Sequence, residues 1–120
     1  MVSKKLNNII EALGKHQDAE SIRVLNEVGT NSSIDEIREL TAKALVRKNV
    51  KESLEIVIKN KGKGINDLSA HVAMSAINEL LALKDKNCAT LVLDETINSD
   101  TEKEIIDTAR SVKALMSFSV

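Results

Sequence analysis

Apolar residues recur along this chain at spacings of three and four, the period of a helix buried on one face, and seldom alternate as a half-buried strand would. Leu6, Ile9, Ile10 and Leu13 make the first stripe, and Ile22, Leu25 and Val28 the second. Ile34, Ile37, Thr41, Ala44 and Leu45 follow, then Leu54, Val57 and Ile58. The longest stripe holds Leu68, Val72, Ala73, Ala76, Leu80 and Leu83. Leu91 and Val92 mark a sixth segment, and Ile105, Ala109, Val112 and Leu115 a seventh. The pattern predicts seven helices, over residues 3–13, 18–28, 34–47, 50–60, 66–83, 87–97 and 101–116. Within the sixth, Ala89 to Leu93 also reads as a short strand, and both readings stay open.

Boundary residues support these limits. Proline, the strongest helix breaker, is absent, and Gly14, Gly29, Gly62 and Gly64 each follow an apolar run, where a helix commonly stops. Ser33 with Glu36, Asn49 with Glu52, and Ser99 with Glu102 have the spacing of a capping box, in which two side chains satisfy each other's orphan amides. Asp18, Asn66 and Asn87 are further N-cap candidates.

An Ala-Leu pair closes each odd-numbered helix: Ala12-Leu13, Ala44-Leu45, Ala82-Leu83 and Ala114-Leu115. The first three pairs are followed by a polar turn and a shorter helix. A helical hairpin alone leaves its apolar face uncovered, whereas stacked hairpins share one core. The run Asp35-Glu36-Ile37-Arg38-Glu39-Leu40-Thr41-Ala42-Lys43-Ala44-Leu45 resembles the second helix of a HEAT-like repeat of the phycobilisome-lyase type. Ala12-Leu13-Gly14-Lys15 with Asp18-Ala19-Glu20 matches the latter half of that pattern, and Asp100 to Leu115 is a weaker copy. The resemblance spans nearly the whole chain as about three and a half repeats. It implies a single domain over residues 1–120, a short right-handed α-solenoid whose inner surface is lined by the odd-numbered helices. It also implies an inter-repeat Asp–Arg ladder, for which Arg38 supplies the arginine; Ala70-His71 and Lys103-Glu104 stand where later repeats would carry theirs.

Composition narrows the function classes. The chain has 120 residues, 42% hydrophobic and 29% charged, enough for one globular core. Phe118 is the only aromatic residue, which argues against base-stacking surfaces. The net charge of -1 lacks the basic excess of a duplex binder, so nucleic acid is an unfavoured partner. No run of apolar residues is long enough for a membrane span. The single Cys88 forms no internal disulfide, no Cys/His spacing resembles a metal site, and no signal-peptide pattern opens the chain, so a cytoplasmic protein without cofactor is expected.

Charge is unevenly placed. Residues 43–63 hold seven basic side chains and two acids, whereas residues 94–107 hold six acids and one base. Two readings follow: a basic centre that meets another protein with an acidic surface, or head-to-tail self-association. Lys43, Arg47, Lys51, Lys59, Lys61 and Lys63 are the candidate partner-binding residues. The glycines of Lys59-Asn60-Lys61-Gly62-Lys63-Gly64 lie before a helix, an arrangement that can cradle an anion. Cys88, His16 and His71 lack the neighbours that nucleophilic or metal chemistry requires, so no catalytic residue is assigned. The leading expectation is a non-catalytic protein-interaction module, an adaptor or inhibitor. The family resemblance adds an accessory or lyase-like role in bilin attachment as an alternative, and the basic segment adds nucleic-acid binding as another.

Overall fold

The structure, a computed structural model, describes residues 4–15, 19–99 and 102–118. Seven α-helices account for most of them: α1 Lys4–Lys15, α2 Ala19–Val24, α3 Asp35–Lys48, α4 Lys51–Lys59, α5 Ala70–Leu81, α6 Asn87–Ser99 and α7 Lys103–Phe118. Helix α2 runs on into a π-helical turn, Leu25–Gly29, and a one-turn 3-10 segment, Gly64–Asn66, precedes α5. No strand occurs among the described residues, and Ala89 to Leu93 lies inside α6.

The largest boundary difference is at α5, which starts at Ala70 instead of residue 66. Asn66 does not cap it. Its side-chain amide turns back and donates to the carbonyls of Ile58 (2.9 Å) and Asn60 (3.3 Å), satisfying the end of α4. Ser69 is the cap, its hydroxyl accepting from the Val72 amide. Asn49 likewise ends α3 in a left-handed conformation (φ 50°, ψ 44°) rather than opening α4. At the start of α4 the Ser53 hydroxyl accepts from the Val50 amide at 3.3 Å, so the capping serine stands one residue past Glu52. Helix α3 begins after Ile34, whose carbonyl accepts from the Ile37 and Arg38 amides, one residue later than a Ser33 cap would place it. Ser99 sits inside α6, its hydroxyl donating to the Glu95 carbonyl. Asp18 and His16 lie outside the described residues.

Helices α1, α3 and α5 pack side by side, α4 packs on α6, and α7 lies mainly against α6. The row runs in one direction, because equivalent ends meet. Gly14 faces Ala44 near the C-termini of α1 and α3, and Lys48 Nζ donates to the Leu13 carbonyl at 2.7 Å. Several cross-links join residues at nearly constant sequence separation: 35 for Lys48 to Leu13, 36 for Asn49 to Asp85 and Lys59 to Glu95, and 37 for Lys63 to Asn26.

Leu45, Leu54, Ile58, Val72, Leu80 and Val92 sit at the centre of the core, with Ala109 and Val112 closing it from α7. Buried Thr41 and Thr96 return their hydroxyls to the carbonyls one turn back, Ile37 (2.7 Å) and Val92 (2.8 Å), so neither brings an unpaired polar atom into it. Gly29 is required by close approach: a Cβ there would lie 2.1 Å from Thr41 Oγ1. Several predicted core positions face solvent instead, among them Ile9, Val28, Ile34, Leu91 and Leu115. Leu68 is 93% exposed, because it falls in the loop before α5 and not on the helix. A radius of gyration of 13.3 Å matches the roughly 13–14 Å of a compact globule of this length.

Candidate partner-binding surface

The parallel packing of α1 and α3 leaves a groove of about 540 Å³ between their C-terminal halves. Gly14 and Ala44 bring the two backbones close at its base, and Ile10 and Leu40 extend the floor by one turn. Lys15, Lys43 and Arg47 stand around it with one acid, Glu11. Cations near helix C-termini are favourable against the negative end of the helix dipole, which explains Lys15 and Arg47 locally. Lys43, a turn further in, has no such cause. Neither Lys15 nor Lys43 has an ion-pair partner among the described residues. Arg47 reaches across to α5, donating to Glu79 at 2.9 and 3.3 Å. That hydrogen bond raises its pKa against the desolvation that would lower it, and Glu79 and Glu11 add to the rise through their charge.

The other four predicted residues lie elsewhere. Lys51 and Lys59, on α4, both reach Glu95 of α6 at 3.3 Å, and Lys59 also pairs with Glu55 at 3.2 Å. Burial pulls the Lys59 pKa down, but Glu55 and Glu95 outweigh it and the net direction is up. The hydrogen bonds from Lys59 and then Lys51 hold the Glu95 carboxyl below the ordinary range. The basic and acidic stretches of the sequence therefore meet within the fold at this point. Lys63 donates to Asn26 Oδ1 at 3.1 Å, while Lys61 is exposed on the same loop.

That loop is folded on itself. The Gly62 amide donates to the Asn66 carbonyl and the Lys63 amide to the Asn60 carbonyl, so both are used internally. Gly64 (φ +55°) presses on the Val57 backbone, where a Cβ would lie 2.4 Å from the carbonyl oxygen. With α5 starting at Ala70, the loop does not present a helix N-terminus to an anion.

Two arrangements, the α1 side of the groove and the buried Lys48, were not foreseen in the sequence. Lys15 and Glu11 complete the groove from α1, a helix that drew attention only for its amphipathic stripe. Lys48, 3% exposed, caps α1 from α3. Glu39 on α3 accepts from the Ser75 hydroxyl and lies 3.1 Å from His71 Nε2 on α5, so His71 bridges neighbouring helices. Arg38 links α3 to the loop before α5: its guanidinium donates to both carboxylate oxygens of Asp67 at 3.0 and 3.3 Å and to the Ser32 carbonyl at 2.8 Å, with Asp35 alongside. The Asp67 hydrogen bond, partly opposed by desolvation, raises the Arg38 pKa. Cys88, in the first turn of α6, is a half-buried free thiol packed against the core. Among the described residues no helix is long and apolar enough to cross a membrane.

Searches against family models, curated proteins and solved structures return no match to this chain.

Proposed function

We propose that this protein is a short stack of HEAT-like helical hairpins that acts as a non-catalytic interaction module, an adaptor or inhibitor, and takes an acidic protein partner in the groove between α1 and α3. The observation that carries this reading is the groove: an apolar floor of Ile10, Leu40 and Ala44 under Lys15, Lys43 and Arg47, of which Lys15 and Lys43 have no ion-pair partner among the described residues. An apolar floor rewards a partner's aliphatic side chains with burial, and the cations around it select for carboxylates and speed encounter. Recurrent links between residues 35 to 37 apart support the repeat reading, as does the parallel row. Lys51 and Lys59 act structurally on this view, holding α4 to α6, and Lys61 and Lys63 lie outside the contact.

The test is capture of partner from a lysate of the source cell on tagged protein, with the bound species identified and remeasured in purified form. The same measurement is made with Lys15→Glu/Lys43→Glu. The reading requires a stoichiometric partner with an acidic contact surface whose affinity falls on raising salt and falls at least tenfold in the double variant. A partner that binds both proteins equally refutes the groove as the site.

A further inference from the structure

The groove between α1 and α3 is uneven along its length, because its facing side chains differ in size. Gly14 and Ala44 are the smallest facing pair, so the groove is deepest above them. Ile10 and Leu40 lie one turn towards the N-termini, on the same faces of α1 and α3, and close that end with bulkier apolar groups. Lys15 borders the hollow from α1, and Lys43 and Arg47 border it from α3. Lysine and arginine stems are apolar up to their charged ends, so a hollow bordered by three of them is apolar in its depth and cationic at its mouth. Its volume, about 540 Å³, lies in the roughly 300–1,000 Å³ range of pre-formed ligand pockets.

The three cations are not equivalent. Arg47 is engaged by Glu79 of α5 at 2.9 and 3.3 Å. Lys15 and Lys43 have no ion-pair partner among the described residues, and they stand on different helices, one on each side of the hollow. Glu11, the acid that borders the groove, lies a turn before Lys15, towards the Ile10 end. A ligand seated over Gly14 and Ala44 therefore meets an available cation on either side.

We infer that the groove recognises one large apolar side chain, of leucine or phenylalanine size, flanked on both sides by carboxylates within an acidic segment of the partner. This rests on the groove being the binding surface, as proposed above, and names what the partner must carry there. The apolar side chain fills the hollow over Gly14 and Ala44 and supplies most of the affinity, because burying such a group is worth more than an exposed ion pair. The carboxylates meet Lys15 and Lys43 and fix its position. An acidic segment without the apolar group gains only exposed ion pairs, and an apolar group flanked by bases is repelled by the two lysines.

The probe is a short peptide, acetyl-Glu-Asp-Leu-Asp-Glu-amide, titrated to about 5 mM at constant ionic strength into isotope-labelled protein, with backbone amide shifts followed by NMR. Shifts are expected at Gly14, Lys15, Lys43 and Ala44, with a Kd of about 1 mM or below. Alanine in place of the peptide leucine is expected to weaken binding about tenfold or more, and phenylalanine to preserve it. Asparagine in place of both aspartates is expected to weaken it about threefold. Absence of shifts at those four residues, shifts centred elsewhere, or equal binding of the leucine and alanine peptides overturns the inference. If those two peptides bind alike and both are lost to Lys15→Glu/Lys43→Glu, the apolar anchor falls and the proposed function stands. Equal binding of the leucine peptide to that double variant and to wild type overturns both.

Discussion

Asp67→Ala should be one of the most damaging polar substitutions in the molecule. The Asp67 side chain is 1% exposed, and its carboxylate receives two hydrogen bonds from Arg38 and one from the Ser69 amide at 2.9 Å. It ties the start of α5 to α3. Truncation leaves a guanidinium that is itself only 16% exposed, with the Ser32 carbonyl and the more exposed Asp35 as remaining partners. Breaking a buried pair from one side costs about 3–5 kcal/mol. The retained Asp35 contact puts the expected loss at the lower end, about 3 kcal/mol. For a domain of this size that is a fall in melting temperature of about 10–15 °C. Arg23→Ala is the control. Arg23 also has two carboxylate partners, Glu20 and Glu27, but all three side chains are more than half exposed, so its loss should cost under about 1 kcal/mol. Urea unfolding followed by far-UV circular dichroism reads both, since the chain has no Trp or Tyr for fluorescence. A cost for Asp67→Ala below about 1 kcal/mol, or no larger than that of Arg23→Ala, would refute the argument that burial gives this pair its weight.

Two further outcomes are expected. Gly29→Ala should destabilise by about 2–3 kcal/mol, because the new Cβ collides with buried Thr41, whereas Gly62→Ala has open space and should cost about 1 kcal/mol from its left-handed backbone alone; urea midpoints of the two variants give the comparison. The pKa of Glu95 is lowered in the folded state, so the unfolded chain binds more protons there, stability rises with pH through that window, and the Glu95 contribution is lost as the pH falls below about 4. Stability measured against pH should therefore decline less steeply on acidification in Glu95→Gln than in wild type, and equal slopes would contradict it.

The helical periods were legible because each depends on residues within one or two turns. Val72, Ala76 and Leu80 point to the core as their spacing requires, and α6 is helical although Ala89 to Leu93 alone also suits a strand. The turns were harder to read. Asn49 and Asn66 have the chemistry of helix starts, but each closes the earlier helix instead: the Asn49 backbone amide donates to the Val46 carbonyl in a left-handed turn, and the Asn66 side-chain amide donates back to the Ile58 carbonyl. The candidate site was legible in half. Lys43 and Arg47 stood out in a basic run, but the same run contained Lys51 and Lys59, and nothing local distinguishes a lysine facing a groove from one facing Glu95.

An all-helical chain of seven segments, with one stripe per segment and a recurrent Ala-Leu closure, is determined by local pattern, because helix formation answers to nearby backbone bonds and side chains. Which charges remain available was decided only by tertiary structure. Arg38 and Asp67 are 29 positions apart and Lys59 and Glu95 are 36 apart, and each pair is joined by the way α3 meets the loop before α5, or α4 meets α6. The groove has the same origin. Its floor exists because Gly14 lets α1 approach Ala44 of α3, and its charge comes from lysines without a carboxylate partner among the described residues. Charge in the sequence is a sum, whereas binding depends on the charge that the folded chain has not already neutralised against itself.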